Sequence, residues 1–350
     1  MTKKISSELT KINSLVSLPN PLDHSPERDD IFVDAMREAV EFQVNNQPEY
    51  AAFCSQSNFS YNELSNINSI PLIPPLIANV FKRHKLLTMP EDKMVLHLQS
   101  SGTTRGEKSH FFVDEASLER LQLMLTTLFE TTNLVSSKLT NYLIFTYDPN
   151  DGTDLGTAWT YKNLRRFAPE NRVVYAIKKN NKGEFEFRKD EVLQALEEFQ
   201  EDGLDIRIMG IPSFMYEIFH EQKLQDQLKH TFGEKAVVIT GGGWKSYADK
   251  EVPKEDFIRY LSSIFGIPRQ NVRDTFGSIE HAAPYIECEH HEFHVPTYSR
   301  VYARDPRTLK VLPYGVPGLL NFVSPYLASM PTISVLSMDV GIVESKGVCG

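Results

Sequence analysis

Two kinds of stretch alternate along most of the chain. From residue 94 on, short apolar runs are separated by longer segments whose apolar residues recur at helical spacing. "MVLHLQ", "NYLIFTY", "RVVYAI", "DIRIMGI", "KAVVIT" and "NVRDTF" have the length and the β-branched or aromatic content of buried strands. "DEVLQALEEFQEDG", "PSFMYEIFHEQ" and "KEDFIRYLSSIFG" read as helices, the first and last stopped by Gly. Asp114 is placed to cap another, whose apolar face is Leu118, Leu121, Leu125, Leu128 and Phe129. Strands alternating with helices predict an α/β fold with a mainly parallel sheet covered on both faces.

The two ends differ from this middle. "DDIFVDAMREAVEFQVNNQPEY" carries Ile31, Phe32, Ala35, Val40 and Phe42 near a helical period, and three prolines in "IPLIPPLIANVFK" then break the helix. "TYSRVYARDP", "GLLNFV" and "TISVLSMDVGIV" make the last stretch richer in strand and turn. The expected organisation is a helical segment over 1–93 packed on an α/β nucleotide-binding core over 94–290, with a β-rich subdomain over 291–350.

Composition narrows the partners. With 350 residues, 41% hydrophobic and 24% charged, the chain is ordinary for a globular protein. Net charge is -9 and no Lys/Arg block stands out, which argues against nucleic acid. "MTKKISSELTKINSLVSLPN" has no apolar core of a signal peptide, and no run approaches the ~18 apolar residues of a membrane span. Cys54, Cys288 and Cys349 are too few and too far apart for a disulfide scaffold, so a cytoplasmic location is expected.

Candidate chemistry lies in three loops after predicted strands, at 100–109, 241–246 and 276–280. "SSGTTRGEKS" offers backbone N–H groups beside Gly102 and Gly106, hydroxyls of Ser100, Ser101, Thr103 and Thr104, and the Lys108 charge. Such a set can wrap phosphate oxygens. Glu107 separates Gly106 from Lys108, so the order is not that of a Walker loop, and a plain polar turn is the competing reading. In "VITGGGWKS", Gly241, Gly242 and Gly243 leave bare backbone on which a flat ring can lie. "RDTFGSIEH" adds Phe276, able to stack on a base, then Gly277 and the Glu280 carboxylate, which suits Mg2+ bridged to phosphate or is simply a solvated acid. Asp339 in "SMDVGIV" has two acceptor oxygens for vicinal hydroxyls, or caps the turn before Gly341.

These loops, in this order, resemble those of the adenylate-forming enzymes, and more narrowly the LuxE-type acyl-protein synthetases. The carrying stretches are "SSGTTRGEKS", "ITGGGWKS", "RDTFGSIEH", "HVPTYSRVYARDP" and "DVGIV", over about 96–343. The resemblance implies a large N-terminal adenylation domain, mainly parallel sheets flanked by helices, with a small β-rich C-terminal subdomain. It implies ATP-dependent activation of a carboxylic acid, fatty in the luminescence enzymes, to acyl-AMP, then transfer to a protein or carrier thiol. Ser100, Ser101, Gly102, Thr103, Thr104 and Lys108 would take the phosphates, with Lys108 and Glu280 catalytic and Glu280 on Mg2+. Gly241, Gly242, Gly243, Phe276 and Gly277 would take the adenine, and Asp339 the ribose. An acyl-CoA reductase-like subunit is the implied partner.

The resemblance has departures. Arg105 lengthens the phosphate loop by one residue. The resemblance implies a small C-terminal portion with an adenylation lysine and, in luminescence synthetases, an acyl-accepting cysteine; neither is placed in this sequence, so the mobile C-terminal domain is expected to be absent or truncated. A phenylacetate-type CoA ligase and a nucleotide-binding scaffold subunit are the alternatives. "IECEHHEFHVP" holds Cys288, His290, His291 and His294. Cys288 and His294 are the candidate Zn2+ ligands, with Cys349, against surface histidines around a buried thiol.

Overall fold

The computed structural model describes residues 6–100, 108–151, 156–220, 231–244 and 250–345. The strands, in chain order, are β1 (Leu76–Ile77), β2 (Met94–Gln99), β3 (His110–Asp114), β4 (Thr140–Tyr147), β5 (Glu170–Lys179), β6 (Phe185–Phe187), β7 (Asp205–Gly210), β8 (Ala236–Gly241), β9 (Val272–Phe276), β10 (Tyr285–Ile286), β11 (Arg300–Arg304), β12 (Gly318–Val323) and β13 (Ser334–Gly341). The helices are α1 (Thr10–Val16), α2 (Pro26–Asn46), α3 (Pro48–Gln56), α4 (Val80–Arg83), α5 (Glu115–Thr131), α6 (Gly156–Leu164), α7 (Lys189–Asp202), α8 (Pro212–Phe219) and α9 (Lys254–Phe265). Among the described residues no helix is long and apolar enough to cross a membrane.

The chain forms two compact units: Met1–Thr131 with Ser278–Tyr285 and His294–Gly350, and Thr132–Gly277 with Ile286–Phe293. These boundaries fall differently from the contiguous 1–93, 94–290 and 291–350 divisions. The pairing that draws the distant segments of the first unit together is parallel, Leu76 of β1 to Val335 of β13.

In the second unit the sheet order is β10-β9-β8-β7-β4-β5-β6. β9, β8, β7, β4 and β5 run parallel, and β6 is antiparallel on β5. The apolar runs form central strands because both faces are covered: Leu143, Phe145, Ile208 and Val238 are buried with Leu196 and Phe199 of α7, Phe219 of α8 and Leu261 and Phe265 of α9. Each such side chain contributes about 1.5–3 kcal/mol on burial. Helix α6 was not among the elements read from the sequence. In its stretch "GTAWTYKNL" Ala158, Tyr161 and Leu164 are buried.

In the first unit β1-β13-β12-β11 form one sheet and β2-β3 a separate two-stranded ribbon. Pro26 starts α2 with Glu27 and Asp29 in its first turn, favourable at a helix N-terminus, and Phe32, Met36, Ala39 and Val40 line its buried face. Asp114 does cap α5, accepting the Ser117 N–H at 3.4 Å. The segment between the phosphate-type loop and α5 corrects the strand–loop–helix expectation. His110–Asp114 is a strand, antiparallel to β2 with Leu98 opposite Phe111. β2 and β3 are thus antiparallel neighbours. Phe111, Phe112 and Val113 are all buried, so the strand lacks the alternation that would have marked it.

Candidate active site

In the first unit the base of the 100–109 loop is closed by backbone and side chain together. Ser100 N donates to Ser109 O at 3.0 Å, and Ser109 N donates to Ser100 Oγ at 2.9 Å. Ser109, itself fully buried, then donates its hydroxyl to Glu280 Oε1 at 2.5 Å. Lys108 next to it is exposed. Ser101, Gly102, Thr103 and Thr104 lie outside the described residues. A hydroxyl aimed at a carboxylate is a strong, charge-assisted bond, and it fixes one of the two oxygens of Glu280. Glu280 is half-buried and keeps solvent access.

The turn that carries Glu280 is tight. His281 N and Ala282 N both donate to Ser278 O, at 3.2 and 2.7 Å. Ala282 sits at φ 51, the left-handed region. For a residue with a Cβ that conformation costs about 1 kcal/mol or more and persists only where the surroundings impose it. Asp339 is exposed near the end of β13. Its carboxylate accepts from Ser337 Oγ, and its N–H donates to Ser337 Oγ at 3.0 Å.

In the second unit the glycine and Phe276 segments leave the same ends of adjacent parallel strands, with Gly241 opposite Thr275. Ligands of open α/β sheets sit at such ends. A Cβ on Gly241 would lie 2.3 Å from Thr275 Oγ1 and 3.2 Å from Tyr161 OH, so only glycine fits. Gly242 and Gly243 follow at φ 90 and 65, exposed. Phe276 is half-buried and packs edge-on against Phe293, centroids 6.5 Å apart. Gly277 is exposed.

Behind this rim is a polar knot that no sequence spacing announced. Tyr161 OH donates to Gly241 O at 3.1 Å, and Thr275 Oγ1 to Thr240 O at 2.7 Å. Asp274 Oδ1 accepts from Thr240 Oγ1 at 2.7 Å and from Thr275 N at 3.0 Å. Asp274 N donates to Glu287 Oε2 at 2.8 Å, and Lys254 Nζ pairs with Glu287 Oε1. Thr240, Trp244, Lys254, Asp274 and Glu287 help line a cavity of about 220 Å³. Thr240 and Asp274 stood inside quoted motifs; the polarity of Thr240 at the end of an otherwise apolar strand was the available signal.

Burial pushes the Asp274 carboxyl up, against the Thr240 hydrogen bond. It pushes Glu287 up to about 7 from the ordinary 4.5, the Lys254 hydrogen bond pulling the other way without cancelling it. Between those two pH values the folded chain holds a proton at Glu287 that the unfolded chain has released. Stability from this group is full below about 4.5 and is lost as pH rises to about 7. Glu287→Gln should therefore flatten the fall in unfolding free energy, read from urea titrations between pH 5 and pH 8, by on the order of 3 kcal/mol at most. An unchanged slope in the variant would place that titration elsewhere.

The zinc set finds no support among the described residues. Among the described residues no three His, Cys, Asp or Glu side chains are grouped to hold a metal. Residues 288–292 instead form a turn closed on its own backbone, Cys288 N to Glu292 O at 3.0 Å and His291 N to Cys288 O at 3.1 Å. Cys288 Sγ accepts the His290 N–H at 3.4 Å, and His290 is exposed. Cys288 belongs to the second unit and His294 to the first, while Cys349 lies outside the described residues.

Known proteins share this architecture. A structure of 2-hydroxyisobutyryl-CoA ligase with 2-HIB-AMP and CoA in the thioesterification state matches at TM-score 0.67 and 15% identity, over 92% of this chain and 65% of that one. The open conformation with 2-HIB-AMP and CoA matches at 0.66 and 14%, over 90% and 65%. The chain has the fold of these CoA ligases and spans slightly under two thirds of their length. It belongs to the acyl-protein synthetase, LuxE family, whose model matches residues 2–350. Among its relatives are the long-chain-fatty-acid–luciferin-component ligases of Aliivibrio fischeri, 29% identical over 96% of this chain and 85% of that protein, and of Vibrio harveyi, 27% identical over 96% and 86%.

Proposed function

We propose that the protein is an AMP-forming ligase that activates a long-chain fatty acid with ATP and hands the acyl group to a protein or carrier thiol. The observation that carries this reading is membership of the acyl-protein synthetase family along essentially the whole chain. A carboxylate is a poor electrophile but is already ionised at neutral pH, so the first step needs no general base. A carboxylate oxygen attacks the α-phosphorus, the bond to the bridging oxygen breaks, and pyrophosphate leaves. A thiolate then attacks the acyl carbon, and AMP departs with its electron pair as the thioester forms.

In this reading Ser100, Ser101, Gly102, Thr103, Thr104 and Lys108 receive the phosphates, and Gly241, Gly242, Gly243, Phe276 and Gly277 the adenine. Asp339 takes the ribose. Ser109 holds one Glu280 oxygen and leaves the other for a hard cation, a donor set that fits Mg2+. Bound there, Mg2+ would neutralise charge on the phosphate oxygens. This reading puts the protein in the cytoplasm, where ATP is available, with an acyl-CoA reductase-like subunit as the implied partner.

Acid-dependent ATP–pyrophosphate exchange, with hydroxamate trapping across an acid panel, tests the proposal. Exchange that peaks with long-chain acids supports it, and no exchange with any acid removes it. The likeness to a CoA ligase favours a second reading, direct thioester formation with CoA, which free acyl-CoA in the same assay would reveal. Tight ATP binding with no acid-dependent AMP would instead indicate a scaffold subunit. Asp339→Ala should raise the KM for ATP about tenfold with little change in kcat, the signature of lost uniform binding. Because Asp339 is exposed, its melting temperature should not move.

A further inference from the structure

Directly behind Glu280, the first unit buries a polar chain that the proposed reaction does not use. His281 is fully buried, and its Nε2 lies 2.9 Å from Tyr285 OH. Tyr285 OH lies 2.5 Å from Ser299 Oγ, and Ser299 Oγ donates to Val323 O of β12 at 3.1 Å. The carbonyl at the far end can only accept, and this sets every proton. Ser299 donates to Val323, Tyr285 to Ser299, and His281 Nε2–H to Tyr285. The His281 ring commits its Nε2–H to this chain. Its Nδ1 is left buried with no hydrogen-bond partner.

Two more hydroxyls hold the same backbone. Tyr326 OH donates to His281 O at 3.1 Å and Tyr298 OH to Pro284 O at 3.0 Å. A core that only needed filling would be better served by an apolar ring than by an imidazole with an orphaned nitrogen. What the polar chain provides is direction. It ties a turn with a left-handed alanine to a strand, and Glu280 is the residue just before the tie.

We propose that His281 is a positioning residue: through Tyr285 and Ser299 it anchors the strained turn to β12 and so sets the Glu280 carboxylate for the metal–nucleotide. The inference rests on the reading of Glu280 as the metal-holding carboxylate. The relay's effect should appear in the Mg2+ requirement, not in the chemical step.

The test is calorimetry of ATP binding as a function of Mg2+, together with pyrophosphate exchange, on Tyr285→Phe, Ser299→Ala and His281→Phe. In each folded variant the half-saturating Mg2+ should rise about tenfold, while kcat at saturating Mg2+ stays within about threefold. Ala282→Gly, which accepts the left-handed conformation without strain, should restore most of the Mg2+ affinity when added to Tyr285→Phe. If Tyr285→Phe fails to fold, Ser299→Ala, which keeps the phenol, carries the same comparison. Relay variants with parental Mg2+ dependence overturn the proposal when Glu280→Gln does shift it. A Glu280→Gln protein with parental Mg2+ dependence overturns the reading of Glu280 itself, and the proposal with it.

Discussion

Glu280→Gln is expected to lower Mg-dependent acyl-adenylate formation by about 10²–10³-fold while leaving the fold intact. The magnitude is that of removing one preorganised charge partner from a reaction dominated by charge on phosphate oxygens. The fold survives because the amide carbonyl still accepts the Ser109 hydroxyl and the side chain is only half-buried. Net loss from that one bond is about 1 kcal/mol. Pyrophosphate exchange and a urea titration on the same preparation check both halves. Parental exchange in the variant would take Glu280 out of the site.

Gly241→Ala is expected to weaken the fold and the nucleotide site together. The added carbon would sit 2.3 Å from Thr275 Oγ1 and 3.0 Å from Thr275 O. Neither atom can yield cheaply: the hydroxyl is committed to Thr240 O at 2.7 Å, and the other is backbone of the neighbouring strand. Adjacent strands must part at the end where ligands bind. The cost is about 1–3 kcal/mol, with ATP affinity down by more than tenfold. Gly243→Ala is the control, since a Cβ there meets nothing within 4 Å and only the left-handed φ of 65 opposes it. If both variants unfold at the same urea concentration, strand crowding is not the reason for Gly241.

The parallel sheet was legible because its strands are apolar runs punctuated by Gly and Pro, a pattern that burial on both faces enforces. Arg207 is one polar residue that burial tolerates: it lies in β7, and its guanidinium donates to Leu134 O. What the pattern could not carry was pairing between distant segments. Nothing in "IPLIPPLIANVFK" says that Leu76 adds a parallel strand beside Val335. The same limit applies to the site. Gly241 and Phe276 were legible as motifs, and their strands prove adjacent. The Ser109–Glu280 bond spans 171 residues, and no local spacing encodes it. The histidine-rich run supplies ligand types, but composition alone does not say whether a fold groups them.

The parallel pairing of β1 with β13 also sets an order of assembly. Residues 132–277 carry nearly all of the seven-stranded sheet, so that unit can gather its core while the chain is still emerging from the ribosome. The helices before it cannot complete theirs until the last strand has been made. The N-terminal third must wait with apolar faces uncovered, which makes it the part of the newborn chain that chaperones would shield.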